Sequence, residues 1–132
     1  MQFSVTTIET PVRLYQLRYP IYSSSVLCST YIAGEYTVYK YVTEDDPMFE
    51  TMAVQFDPRV YHVFSIHEDC PGIDHIGIVH FISGLFSKHN IPILYVNTYA
   101  SNLIFISEPY VHDAIDIMTH NPHILLDTDA SL

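Results

Sequence analysis

Three groups of residues have the types that do chemistry. Cys70 lies between His67 and His75, and a thiol next to an imidazole is the pairing that makes a nucleophile. No third group stands at a spacing that would orient either imidazole, and Cys70 runs straight into the turn residues Pro71-Gly72, so no catalytic residue is expected. His120 and His123 are three residues apart with His112 close by in sequence, but Asn121-Pro122 separates the pair and keeps it off a single helical face. Thr43-Glu44-Asp45-Asp46-Pro47 gathers carboxylates without the alternating spacing of a calcium loop, so it reads as a solvated turn. Neither a metal site nor a cofactor is expected. Cys28 and Cys70 form no CxxC pair, which removes a zinc ribbon and a dithiol redox centre as well.

Charge narrows the partners. Only Arg13, Arg18, Lys40, Arg59 and Lys88 stand against fifteen carboxylates, a formal net charge of −10 that opposes nucleic-acid backbones and anionic lipid. The eleven tyrosines are then sheet faces rather than platforms for stacked bases. No apolar run reaches the roughly 20 residues that span a bilayer. The start Met1-Gln2-Phe3-Ser4-Val5-Thr6 lacks the basic and apolar blocks of a secretory signal, so a cytoplasmic location is expected. With 132 residues, 48% of them hydrophobic, the chain can bury the core of one small domain or of two subdomains that share one.

The elements that would position any site come in two halves. In the first, Val12–Leu17 alternates as a half-buried strand, and Pro20 through Ala33 reads as a short helix stopped by Gly34. Glu35–Val42 is β-branched and aromatic and predicts a strand; the acidic turn then joins it to an antiparallel strand over Thr51–Phe56. The order is β-α-β-β.

The second half has stronger periodicity. Val60–Ile66 alternates as a strand, and Asp69-Cys70-Pro71-Gly72 is turn chemistry. Ile78, Phe81, Ile82, Leu85 and Phe86 then mark one face of a helix from Gly77 to Lys88, with Asp74 as its N-cap. Strands follow over Ile93–Thr98 and Leu103–Ile106, separated by Ala100-Ser101-Asn102. A second helix starts at Glu108-Pro109 and ends near His120, and His123–Leu126 predicts a last strand. The order βαββαβ is that of a ferredoxin-like α+β layer, helices on a mostly antiparallel sheet, with the first half a shortened copy beside it. The expected division is residues 1–59, residues 60–126 and a frayed tail over 127–132.

The segment IDHIGIVHFISGLFSKHNIPILYVNTYASNLIFISEPYVHDAIDIM, residues 73–118, resembles the C-terminal half of the ACT domains of the CASTOR type. Asp74-His75-Ile76-Gly77-Ile78-Val79, Ile91-Pro92-Ile93, Thr98-Tyr99, and Ile106 with Glu108 carry the likeness, which covers about a third of the chain. Residues 35–66 match loosely.

The resemblance implies two tandem ACT-type halves and a regulatory site that binds an amino acid or a similar small carboxylate, with no reaction performed on it. It places that ligand between ACT units, against Asp74, His75, Ile76, Gly77, Ile78 and Val79 on one side and Thr98, Tyr99 and Asn102 on the other. Physics agrees with a carboxylate there, since the first N–H groups of a helix lack intrahelical partners and carry the positive end of its dipole. Gly77 permits close approach. Two positions depart from the family pattern: Asn102 stands where an Asp is usual, and His75 where an arginine sensor offers a carboxylate. A buried guanidinium without anionic partners costs several kcal/mol, so the departure weighs against arginine and towards a neutral amino acid. The resemblance further implies a homodimer or a protein complex. The competing reading is a constitutive interaction or dimerisation module whose pocket has been lost.

Overall fold

Alternation of apolar and polar residues builds most of the chain into strands. The computed structural model describes residues 3–68, 75–98 and 102–127, with the side chains of Glu68, His75 and Ile76 excepted. The elements are β1 (Phe3–Leu17), β2 (Val26–Ile32), β3 (Glu35–Tyr41), α1 (Asp46–Met52), β4 (Gln55–Glu68), α2 (His75–Lys88), β5 (Leu94–Asn97), β6 (Asn102–Ser107), α3 (Val111–Thr119) and β7 (Ile124–Asp127). A single 3-10 turn, Glu108–Tyr110, leads into α3. The chain divides into two compact units, residues 10–61 and residues 1–9 together with 62–132. Strands β1 and β4 are long enough to serve both.

In the unit of residues 10–61 the strand order is β2-β3-β1-β4. β1 and β3 pair antiparallel from Val12↔Tyr41 to Leu17↔Tyr36, and β2 and β3 from Val26↔Lys40 to Ile32↔Glu35. The Val54 N–H donates to the Gln16 carbonyl and Arg13 Nε to that of Pro58, so β4 leaves α1 antiparallel to β1. Tyr15 and Val38 lie on the sheet face that α1 covers, where Tyr15 packs its ring against Phe49 at 5.7 Å.

Two sequence expectations fail in this unit. Residues 26–32 form β2 rather than the end of a helix. The Gly34 stop signal belongs to a two-residue hairpin turn in which Ala33 (φ 53°) and Gly34 (φ 86°) both take positive φ. That turn suits the twist of paired strands, and its usual Asn-Gly signature is absent here. The second correction concerns the acidic turn. It opens α1, with Pro47 in the first helical turn, where a missing N–H costs nothing, so Thr51-Met52 end a helix and the next strand starts only at Gln55.

In the other unit the order β4-α2-β5-β6-α3-β7 follows the periodicity closely. β5 and β6 pair antiparallel from Leu94↔Phe105 to Asn97↔Asn102, and β6 lies between β5 and β4. In a ferredoxin-like layer the last strand lies beside the first. Here β1 takes that place: its Phe3–Thr6 run parallel to β7, with Phe3↔Ile124 through Thr6↔Asp127, and β1 in turn neighbours β4. Phe3, Phe64, Ile66, Ile78, Ile82, Phe86, Ile104, Ile106, Ala114 and Met118 fill one core between sheet and helices. The α2 face at i, i+4 and i+8 (Ile78, Ile82, Phe86) is fully buried, which is what fixes the roll of that helix on the sheet. The Asp69–Gly72 turn, Ala100-Ser101 and the tail beyond Asp127 lie outside the described residues.

Candidate functional site at the start of α2 and β6

The connections in the second unit bring the expected site residues to one end of its sheet. β4 leads into α2, whose 14 residues carry the chain back by about 21 Å at ~1.5 Å per residue. β5 then runs in the direction of β4 again, and β6, antiparallel to β5, starts where β5 stops. The first turn of α2, Thr98 and Asn102 therefore share the end of the sheet at which β4 terminates.

Along α2 the helix begins at His75, two residues ahead of the expected start. Gly77 is exposed, Ile78 is fully buried in the core and Val79 is half-buried; because the helix starts at His75, Ile78 and Val79 lie past its first unpaired N–H donors, so Ile78 offers a ligand neither its side chain nor a free N–H. Asp74 and Tyr99 lie outside the described residues, as do the side chains of His75 and Ile76. Thr98 is half-buried just beyond β5.

Asn102 is the telling residue. It is 8% exposed, and its Oδ1 is buried without a hydrogen-bond partner among the described residues, although its β-ladder partner Asn97 is exposed. A buried acceptor left unpaired costs about 1–3 kcal/mol, and Tyr15 Oη in the unit of residues 10–61 is likewise buried without a partner among the described residues. An amide oxygen at this position suits an N–H donor, while the dipole at the start of α2 suits an anion. Together they offer the two complementary features that a zwitterionic amino acid requires.

The other chemical residues are dispersed. His67 Nε2 lies 3.3 Å from Ser65 Oγ on β4, and Cys70 is outside the described residues. His120 Nδ1 lies 2.8 Å from the Asp116 carbonyl at the end of α3, and His89 Nδ1 lies 2.9 Å from the Leu85 carbonyl at the end of α2. Among the described residues no three His, Cys, Asp or Glu side chains gather as metal ligands would. No helix among them is long and apolar enough to cross a membrane.

Sequence reasoning missed a buried ionic network in the unit of residues 10–61. Lys40 is fully buried, with Nζ 2.6 Å from Asp46 Oδ1, 2.8 Å from Asp45 Oδ1, 2.6 Å from Thr43 Oγ1 and 2.7 Å from the Tyr41 carbonyl. Arg13 Nη1 binds the other oxygen of Asp46 at 2.8 Å. Burial pulls the Lys40 pKa down, but the hydrogen bonds that it donates to Asp45 and Asp46 outweigh it and leave it above the ordinary lysine value. The sequence signal was a lone lysine in the apolar strand Glu35–Val42, a short turn away from two aspartates. Every donor of that ammonium is engaged, so the network fixes the start of α1 and offers nothing to a ligand.

Comparison with known proteins agrees with the second unit. Residues 58–120 match the family model of the ACT domain, which supports an ACT-domain protein; such domains are generally regulatory modules for small molecules. No curated protein matches the chain. Among solved structures, the chain is similar to protein Atu0741 from Agrobacterium tumefaciens, with a TM-score of 0.70 at 17% identity over 96% of this chain and 95% of that one. It is similar as well to VC0802 from Vibrio cholerae, described as a protein of unknown function and possible transport protein. That TM-score is 0.70 at 9% identity, over 88% of this chain and 87% of the other. Both likenesses concern the fold.

Proposed function

We propose that this chain is a cytoplasmic, non-catalytic sensor of the CASTOR type that binds an amino acid through an ACT-type site and signals through a protein partner. The observation that carries the reading is the buried Oδ1 of Asn102, without a partner among the described residues, at the sheet end from which α2 departs. In this reading the start of α2, residues 75–79 at the positive end of its dipole, receives the ligand carboxylate, Asp74 and Asn102 accept from its ammonium group, and Thr98 and Tyr99 close the side. An uncharged Asn102 favours a neutral amino acid over arginine. The match at residues 58–120 supports the ACT assignment for the second half, residues 60–126, and residues 1–59 are proposed as the first, shortened half. Binding would favour one arrangement of the protein and so alter its affinity for the partner. Self-association into a homodimer belongs to the same proposal.

Thermal melting against each of the twenty amino acids at millimolar concentration tests it. A ligand that binds only the folded state adds RT ln(1 + [L]/Kd), about 2.7 kcal/mol at a hundredfold excess over Kd. One amino acid should raise the melting temperature of the wild type and fail to do so for Asp74→Ala. No shift with any of them contradicts the sensor and leaves the constitutive interaction module.

A further inference from the structure

β2 is an outer strand: it pairs with β3 and with no other strand among the described residues. Natural edge strands carry charges, prolines or bulges that stop them from pairing with another chain. β2, Val-Leu-Cys-Ser-Thr-Tyr-Ile, has neither a charge nor a proline. Its register irregularity lies between Val26 and Cys28, leaving Cys28–Ile32 regular. This stretch ends on two large residues turned to solvent, Tyr31 at 59% and Ile32 at 76% exposed.

We propose that β2 is the self-association edge, pairing antiparallel with β2 of a second copy about a two-fold axis at Thr30. The inference rests on the homodimer part of the proposed function and is independent of amino-acid binding. Charge argues for a second copy. Two chains of net charge −10 repel wherever their carboxylates meet, and β2 is a run of seven residues without a formal charge. The sequence of the regular stretch is also self-complementary. An axis at Thr30 sets Thr30 against its symmetry mate, Ser29 against Tyr31 and Cys28 against Ile32, so each large side chain meets a small one and no like charges face each other. The pairing extends the order β2-β3-β1-β4 across the axis and satisfies the outward N–H and C=O groups of both strands.

Ser29 gives the test, because it is exposed and a charge there leaves the folded monomer intact. In sedimentation equilibrium the wild type should run at twice the mass of one chain, and Ser29→Lys and Ser29→Asp each at the mass of one, with unchanged circular dichroism. The two lysines would lie on the same face at a diagonal distance of roughly 7–8 Å without a counter-ion, and likewise the two aspartates. An equimolar mixture of the two variants should return to double mass. A monomeric wild type at high micromolar concentration, or variants that remain dimeric, would overturn the proposal. The melting response to amino acids is read on the same Ser29→Lys protein, so loss of the dimer and loss of the ligand site are told apart.

Discussion

Lys40 and Asp46 form an ion pair inside the unit of residues 10–61, with Nζ 2.6 Å from Oδ1 and side chains 0% and 10% exposed. Removing Asp46 leaves the buried Lys40 ammonium only the half-exposed Asp45 as counter-charge and takes from Arg13 its carboxylate partner, which costs up to about 3–5 kcal/mol, whereas replacing Lys40 and Asp46 together with apolar residues leaves no buried ammonium and costs less. Asp46→Ala should therefore destabilise by about that amount in urea unfolding, and Lys40→Met combined with Asp46→Leu by clearly less. A double variant as unstable as the sum of its parts would contradict the pairing.

The β2–β3 hairpin predicts a stabilising change. Ala33 holds φ at 53°, a conformation that costs a residue with a Cβ roughly 1–2 kcal/mol, and the residue before a glycine in this turn is most often Asn. Ala33→Asn should raise stability by about 0.5–1 kcal/mol in the same assay, with no change in amino-acid response.

How much could be read from the chain follows from these two cases. In residues 60–127 the helical stripe Ile78-Ile82-Phe86 and the alternating strands left one solution, because each buries one face against the same core. In residues 20–52 the local signals pointed two ways. Ala33-Gly34 serves a helix end as well as a hairpin turn, and Asp45-Asp46-Pro47 serves a solvated loop as well as a helix start. Long-range contacts decided both: pairing with β3 made residues 26–32 a strand, and the buried Lys40 drew Asp46 inward. Asn102 was a candidate site residue through resemblance alone, while the burial of its Oδ1 without a partner among the described residues is a property of the folded sheet end.

Asp57 links stability to acid. Arg59 binds both its carboxylate oxygens and Tyr61 donates to it at 2.8 Å, and the Arg59 hydrogen bonds, against the opposing effect of burial, hold its pKa down to about 2 from 3.8. A carboxylate depressed in the folded state stabilises above its unfolded pKa and loses that contribution as pH falls through the folded one. Stability of the wild type should therefore fall between about pH 4 and pH 2 by an increment, on the order of 1–2 kcal/mol, that Asp57→Asn does not show. Identical slopes in urea titrations across that range would contradict the assignment.

Asn102 separates function from stability. If its Oδ1 awaits a ligand, Asn102→Leu relieves an unpaired buried acceptor and should stabilise the ligand-free protein, by about 1 kcal/mol, while abolishing the response to the amino acid. A variant that loses stability instead would mark Asn102 as a structural residue.

Amide NMR reads directly where a ligand sits. Titration of the isotope-labelled protein with the twenty amino acids in turn should, for one neutral member, move the backbone signals of residues 74–79 together with the Asn102 side-chain amide and Thr98. Signals of β2 and α1 should stay in place. Shifts confined to other regions, or none at millimolar concentration for any amino acid, would contradict an amino-acid site at the start of α2.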